Sequence, residues 1–252
     1  MQVGGWAIDI IVSGYPGKSV CHGGLGWSTI VLMRGHGRVV LVDVGTFGMR
    51  NLLIQGLNRR GLTPADVTDV ILTHSHQDHA VNWVLFKHAR IVIGETELAW
   101  SLTQPWGETP VPELYMEKLE RWPTAERVAD GAAVLPGMTA HLAPGHTPGC
   151  LVFHLHGDEH DVIFTGDAAK NRAELISGDT DISYDAAASS ASIDLIWDLW
   201  RERPGSVLIP GHDLPVLQRD GHTRYIGSRE AGIRAWFGEN MDHTTYINLV
   251  VR

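Results

Sequence analysis

The stretch Thr73 to Ala80, which reads THSHQDHA, restricts the chemistry of this chain more than any other, because four potential metal ligands lie within six residues. His74 and His76 directly follow an apolar run. In an extended backbone, side chains two residues apart point to the same side, so both imidazoles can face one ion. Asp78 and His79 follow at the start of a predicted helix and can turn towards a second ion. The intact pattern predicts a metal site rather than a solvated, histidine-rich loop.

The composition is that of a globular protein that can bury a large core, since 44% of the 252 residues are hydrophobic and 19% are charged. We expect a single domain over residues 1–252, because no linker or internal repeat divides the chain. The net charge is −9, and no basic run could follow a phosphate backbone. We therefore expect a small-molecule substrate and no nucleic-acid partner.

The N-terminal sequence predicts neither a signal peptide nor a membrane span. Its apolar run, Trp6 to Val12, is short, is interrupted by Asp9 and has no basic segment before it. Cys21 and Cys150 lack the spacing of a redox or zinc motif, which favours reduced thiols. These features predict a cytoplasmic protein.

Further candidate ligands follow other predicted strands. Asp43, Asp167 and His212 each come at the end of a short apolar run, and His146 lies in a loop stiffened by two Pro-Gly pairs. Predicted helices, such as 80–88, alternate with these strands, which is typical of a layered fold. Asp43 is interpreted either as a partner that orients a ligand histidine or as a cap of a turn.

A probable helical insertion over 95–130 interrupts this alternation. It contains two predicted helices, at about 95–103 and 112–122, around a Pro-rich link, and three tryptophans, Trp100, Trp106 and Trp122. Such an insertion either covers a substrate pocket or forms a satellite core.

Taken together, the order of these motifs resembles that of the metallo-β-lactamase superfamily. The matching residues are Asp43, His74, His76, Asp78, His79, His146, Asp167 and His212. The resemblance implies an α+β fold, a four-layer αββα sandwich with the site at one edge of two sheets. It also implies that one metal is held by His74, His76 and His146 and the other by Asp78, His79 and His212. Asp167 and a hydroxide would bridge the two metals. By the same analogy, Trp6, Trp27 and the aromatic residues of the 95–130 insertion can border the metal groove.

Two divalent cations that share a water favour hydrolysis, because they lower the pKa of that water and polarise a carbonyl or phosphoryl oxygen. Imidazole and carboxylate ligands suit Zn²⁺, which we expect, although iron or manganese accepts the same set. The aspartate at position 167, where true metallo-β-lactamases have a cysteine, argues against antibiotic hydrolysis as the native role.

Within the superfamily, the chain is similar to the small single-domain branch that includes acyl-homoserine lactonases and metallo-β-lactamase-domain-containing protein 1. The favoured function is therefore hydrolysis of a small ester, lactone or thioester. A phosphodiesterase or nuclease on the same centre and a mononuclear iron dioxygenase are the alternatives. Besides Asp78, the candidate catalytic residues are Lys170, where the lactonase branch has a tyrosine, and Tyr184.

The remaining histidines receive no metal role. His154 and His156 alternate with apolar residues and are expected to face away from the core, while His22 and His222 lie in Gly-rich loops that could border the site. The apolar tail 244–251 could form an edge strand or a contact with a second copy of the chain, so a homodimer is possible.

Overall fold

The computed structural model describes residues 1–21 and 23–250. Eighteen strands are described there, numbered in chain order: β1 (Gln2–Val3), β2 (Trp6–Val12), β3 (Lys18–Ser19), β4 (Gly23–Gly24), β5 (Ile30–Gly35), β6 (Arg38–Val42), β7 (Asp69–Ile71), β8 (Arg90–Gly94), β9 (Ala125–Val128), β10 (Ala133–Leu135), β11 (Met138–Leu142), β12 (Leu151–Leu155), β13 (Val162–Gly166), β14 (Val207–Pro210), β15 (Val216–Arg219), β16 (His222–Tyr225), β17 (Gly232–Ala235) and β18 (Thr245–Asn248).

Six α-helices connect or cover these strands. They are α1 (Arg50–Asn58), α2 (Gln77–Ala80), α3 (Glu95–Ser101), α4 (Glu113–Glu120), α5 (Arg172–Ser177) and α6 (Ala186–Arg201). Asn171 and Asp185 cap α5 and α6 by accepting hydrogen bonds from the first free backbone N–H groups of each helix.

Two seven-stranded sheets form the centre of the molecule. The first has the order β1-β2-β5-β6-β7-β8-β9, and the second has the order β10-β11-β12-β13-β14-β15-β16. Strands β6 to β9 run parallel to one another, as do β13 and β14, while the other pairs are antiparallel. The carboxyl ends of parallel strands open at one edge of a sheet, where loops can carry functional side chains.

Three apolar layers hold the two sheets and the helices together. In β5, Val31 and Met33 face the layer between the sheets, whereas Leu32 faces the layer that α1, α3 and α4 cover. On the second sheet, Val152 and Ile163 pack against α6. Strands with apolar residues on both faces are typical of sheets covered on both sides. The predicted four-layer αββα sandwich of the α+β class is therefore confirmed.

The interval 95–130 is helical in part. Helices α3 and α4 lie where two helices were predicted, but its last residues form β9, which adds parallel to β8. Of its tryptophans, Trp122 packs on Trp83 in the core between the first sheet and its helices, and Trp106 is exposed. The segment therefore belongs partly to the first sheet.

His154 faces away from the core that Leu151, Phe153 and Leu155 form, as expected, and it is buried because helix α6 covers that opposite face of β12. Two other sequence expectations are wrong. Trp6 is fully buried between the sheets, where its indole N–H donates to the Pro136 carbonyl, and it does not border the metal site. The helix expected over 80–88 begins earlier as α2 and continues as a 3₁₀ helix over 81–86. Hydrogen bonds from Asn82 to three carbonyls of residues 44–46 fix that tighter turn.

The C-terminal segment forms a hairpin apart from the two large sheets. Strand β18 pairs with β17 alone, and the hairpin leaves Trp236, Phe237 and Tyr246 exposed. The homodimer contact remains a prediction. Within residues 1–21 and 23–250, no helix is both long enough and apolar enough to cross a bilayer.

Candidate metal centre

All seven predicted ligands meet at the edge where the two sheets open together. His74, His76, Asp78 and His79 follow β7 in the first sheet, His146 precedes β12, and Asp167 and His212 follow β13 and β14 in the second. Backbone hydrogen bonds join the two sheets at this edge, from the Leu151 N–H to the Thr73 carbonyl at 2.8 Å and from the Thr29 N–H to the Gly211 carbonyl at 2.6 Å. The sandwich therefore fixes the loops relative to each other.

His74, His76 and His146 form one group, which we call the first triad. Their ligand atoms lie within 4.8 Å of one another, and all three side chains are buried. His146 Nε2 is 2.9 Å from His76 Nδ1. Such an arrangement of three nitrogens can hold one divalent cation.

Asp78, His79 and His212 form the second triad, beside the first. Asp78 Oδ2 is 3.2 Å from His212 Nε2 and 3.7 Å from His79 Nε2, and the two imidazole nitrogens are 3.2 Å apart. Asp78 is the most exposed of the three, with 28% of its side chain accessible. The second triad differs from the first because it includes a carboxylate.

Asp167 lies between the two triads and presents one oxygen to each. Its Oδ1 is 3.1 Å from His79 Nε2 and 3.3 Å from His212 Nε2, while its Oδ2 is 3.3 Å from His146 Nε2. Oδ1 is buried without a partner in hydrogen-bond geometry. A carboxylate in this position can serve cations on both sides.

Hydrogen bonds behind the histidines aim their lone pairs into the site. His79 Nδ1 is 2.8 Å from Asp43 Oδ2, and His146 Nδ1 is 2.9 Å from the Ile182 carbonyl, so each Nδ1 donates a proton away from the site and each Nε2 points into it. His74 Nδ1 contacts the Thr73 hydroxyl, whose own proton goes to Asp43, so His74 also donates from Nδ1. His74 Nε2 is then a buried nitrogen with no hydrogen-bond partner among residues 1–21 and 23–250. Ring nitrogens that converge in this way can bind metal ions in their unprotonated form.

Asp43 supports both triads from behind. Its carboxylate accepts hydrogen bonds from the Thr73 N–H and hydroxyl, both at 2.8 Å, in addition to His79 Nδ1. The backbone at Asp43 has a φ of 55°, an uncommon conformation for a residue other than glycine. Of the two sequence interpretations of Asp43, orientation of a histidine is the one that the geometry supports.

Glu97 of α3 has a similar supporting position, which the sequence did not reveal. Its buried carboxylate accepts hydrogen bonds from the Ser75 N–H at 2.8 Å and hydroxyl at 2.6 Å, and from the Thr147 hydroxyl at 2.7 Å and the Gly149 N–H at 3.2 Å. Burial raises the pKa of Glu97, against these hydrogen bonds. Glu97 thus ties the loop of His74 and His76 to the loop of His146.

Two glycines give the site its close packing. Gly166 has a φ of 48°, and a Cβ there would overlap the Thr73 side chain. A Cβ at Gly211 would overlap the carboxylate of Asp167. Both positions therefore require glycine for the ligands to keep these distances.

The protonation of the two triads differs. Burial lowers the pKa of His76 to about 3 and that of His146 to about 4, and it holds the pKa of His74 well below its usual range. Burial acts in the same direction on His79 and His212, but the carboxylates of Asp167 and Asp78 outweigh it. They raise the pKa of His212 to about 9 and that of His79 well above its usual range.

A cavity of about 650 Å³ opens above the centre. Its floor includes His76, Asp78, His146, Asp167 and His212, and its walls include Tyr15, Pro16, Leu25, Pro110 and Ile182. Both lysines of the lining have acidic partners: Lys18 pairs with Asp181, and Lys170 Nζ is 3.0 Å from Glu174 Oε1. The walls are thus largely apolar, with paired charges at the polar side.

Other predicted site residues lie at different distances from this cavity. Lys170 lines it, whereas Tyr184 is 69% exposed and is not among the described lining residues. The Tyr184 ring packs edge-on against Trp100, which is 6.3 Å from the His76 ring. Trp27 stacks on Tyr15 at one wall.

The sequence did not single out Tyr15 or Ile182, because isolated residues in long loops carry no periodic signal. His222 is exposed on β16 and is not among the described lining residues. His22 lies outside the described residues.

This fold and this centre define a metal-binding α+β protein of the hydrolase type. Residues 23–230 match the model of the metallo-beta-lactamase superfamily, and the chain belongs to that superfamily.

Curated relatives share parts of the sequence. Metallo-beta-lactamase domain-containing protein 1 of Xenopus laevis is 50% identical over 54 residues, which cover 21% of this chain and 23% of that protein. The protein of the same name from Rattus norvegicus is 26% identical over 188 residues, which cover 70% of this chain and 62% of the rat protein. The match therefore spans less than two thirds of either relative.

Solved structures match over more of the chain. An N-acyl homoserine lactone hydrolase with the product N-hexanoyl-L-homoserine at its catalytic metal center has a TM-score of 0.66 at 19% identity, over 84% of this chain and 94% of that one. A dizinc quorum-quenching lactonase, AidC, has a TM-score of 0.66 at 16% identity, over 90% of this chain and 92% of that one. At such identities the similarity establishes the shared fold.

Proposed function

We propose that this protein is a binuclear metal-dependent hydrolase of small lactones or esters, with Zn²⁺ as the expected metal. The observation that carries the proposal is the placement of Asp167, which presents one oxygen to each triad at the floor of a largely apolar cavity. His74, His76 and His146 would hold one cation, and Asp78, His79 and His212 the other. Two bound cations supply activation of a water molecule and polarisation of the substrate carbonyl.

The residues of the cavity then bind and orient the substrate. Tyr15, Leu25 and Ile182 offer apolar surface to an acyl chain or ring, which leaves the carbonyl to face the floor. Lys170 Nζ can turn from Glu174 and donate a hydrogen bond to the carbonyl oxygen as negative charge develops on it. Addition of water opens the ring of a lactone and gives a hydroxy acid.

The charges around the cavity favour this substrate class over phosphodiesters. Lys18 and Lys170 are each already neutralised by a carboxylate, and the chain carries a net charge of −9. A polyanion would have to approach without a basic surface to attract it, which lowers its association rate. Two structural neighbours, both in complex with an acyl-homoserine product, support the same choice.

Parallel steady-state assays on zinc-loaded and manganese-loaded protein test the proposal. We expect kcat/KM for an N-acyl homoserine lactone to exceed that for bis(p-nitrophenyl) phosphate by at least about tenfold, roughly 1.4 kcal/mol in transition-state stabilisation. His76→Ala should abolish both activities, which excludes a contaminant. Faster cleavage of the phosphodiester would instead identify a phosphodiesterase, and turnover that consumes O₂ with iron would identify a dioxygenase.

A further inference from the structure

A second group of potential metal ligands lies at the opposite end of the second sheet. His154 and Asp161 are buried, His156 is exposed, and the three ligand atoms lie within 4.8 Å of one another. Asp161 precedes β13 and Asp167 follows it, so the length of the strand, roughly 20 Å, separates this group from the metal centre. The proposed hydrolysis does not use these residues.

Strand geometry produces the group. His154 and His156 are two residues apart at the end of β12, so their side chains point to the same side, and their ring centroids are 4.0 Å apart. The neighbouring strand β11 adds His141, whose ring is 6.0 Å from that of His154. Three imidazoles and one carboxylate therefore share one face, beneath the end of α6.

Two ring nitrogens in this group lack a hydrogen-bond partner among the described residues. His154 Nε2 is 3.0 Å from Asp161 Oδ2, but the buried His154 Nδ1 has no hydrogen bond there, and neither has the buried His141 Nε2. Buried polar atoms in proteins are rarely left without a partner, and an ion or a water molecule often satisfies those that no protein group reaches. Burial also lowers the pKa of His141 and His154, which keeps both imidazoles neutral near pH 7, the form that binds metals.

The charges around this group have opposing effects on cation binding. Asp130 and Glu202 lie close enough to act electrostatically on His141, and both favour a cation. Arg203 Nε is 3.2 Å from Asp161 Oδ1 and opposes one, although 41% of its side chain is exposed and it can move into solvent. The exposed His156 leaves a path for an ion to enter.

We propose that His154, His156 and Asp161 form an auxiliary zinc site, separate from the catalytic centre. Nitrogen and carboxylate ligands of this kind suit Zn²⁺, with water in the remaining position. An ion held there would join the end of β12 to the start of β13 across the turn 157–160. Its effect would therefore be on the stability of that turn and not on turnover.

The test compares zinc content between variants of the untagged chain. After equilibrium dialysis against micromolar free zinc, His156→Gln should hold one zinc fewer than the wild-type protein, with an unchanged kcat for whatever substrate the protein turns over. His222→Gln changes an exposed histidine outside the group and should keep the wild-type zinc content. Because the readout is a difference between variants, it stands whether or not the proposed hydrolysis is correct.

Arg203→Gln gives a second, opposite expectation. Removal of the competing cation should tighten zinc binding at this site several-fold, as measured by isothermal titration, and His156→Gln in the same background should abolish that gain. Equal zinc content in the wild-type and His156→Gln proteins would overturn the proposal. Unchanged or weaker binding in Arg203→Gln would also overturn it.

Discussion

The two triads of the metal centre contrast in protonation although both are buried. His74 and His79 are both fully buried, with ring centroids 4.2 Å apart, yet their pKa values shift in opposite directions. Burial lowers the pKa of His74, whereas Asp167, Asp78 and Asp43 overcome the same burial at His79 and raise its pKa. The position of the carboxylates, rather than desolvation, thus decides which half of the centre retains protons.

Asp167→Asn should have the largest effect, because the carboxylate of Asp167 faces both triads directly. The amide keeps the shape but removes the shared negative charge, so the chain should lose one ion and most of its turnover together. Elemental analysis and steady-state kinetics on the same preparation measure both. Asp194→Asn, on the exposed face of α6, is the matched control. Retention of both ions and the wild-type rate would show that Asp167 does not bridge.

His146→Ala should impair the first triad and leave the second triad intact. It removes one imidazole from the first triad only, so kcat/KM should fall by more than the roughly 10-fold to 100-fold loss typical of residues that only support a ligand. The strands and core should keep the fold, which circular dichroism can verify beside a His222→Ala control. An active His146→Ala enzyme would contradict the assignment of the first triad.

The pH dependence of metal affinity should differ between the triads. The histidines of the first triad stay neutral down to about pH 4, so affinity there should be flat from pH 8 to pH 6. His212, with a pKa of about 9, holds a proton at pH 7 that a cation must displace. Affinity at the second triad should therefore rise up to about tenfold per pH unit per displaced proton towards pH 9. Calorimetry in buffers of different ionisation enthalpy measures the protons released.

The raised pKa of His212 also makes the stability of the metal-free chain depend on pH in a defined direction. Because the folded pKa of His212 is raised, its contribution is fully present below the ordinary value of 6.5 and is lost as the pH rises through about 9. Chemical unfolding of the chelated protein across this window checks the direction. In the calorimetric experiment, equal proton release at both triads would contradict the proposed difference in their protonation.

Substitution of the two supporting residues, Asp43 and Glu97, should give the smallest effects and should distinguish the two triads. Asp43→Asn weakens the partner of His79 and should cost about 10-fold to 100-fold in affinity at the second triad, with less effect on the first. Glu97→Gln disturbs the two loops of the first triad and should show the opposite preference. Competition with a chromophoric chelator measures both affinities. If each variant lost the same affinity at both triads, Asp43 and Glu97 would not act on different triads.

The sequence predicted which side chains meet at the sheet edge, because most of them follow a strand with a strong apolar signal. The His74 to His79 pattern and the strand ends before Asp167 and His212 were visible without a structure. The tail 244–251, for which an edge strand was one of two expectations, contains β18, whereas β15 to β17 were missed, since residues such as His222 and Tyr225 are exposed and show no alternation. Burial by tertiary neighbours was also invisible, as with His154 beneath α6 and Glu97 behind Ser75.

The tight fit of Gly166 and Gly211 limits how this enzyme could be diversified in the laboratory. In a library that randomises the loops around the cavity, most substitutions at Gly166 and Gly211 would give chains whose ligands cannot close around a cation. The side chains of lining residues such as Tyr15 and Leu25 hold no ligand in place, and Ile182 orients His146 through its backbone carbonyl alone, so these side chains can vary without this loss. Selection for new substrates should therefore enrich changes at the walls, while both glycine codons return unchanged.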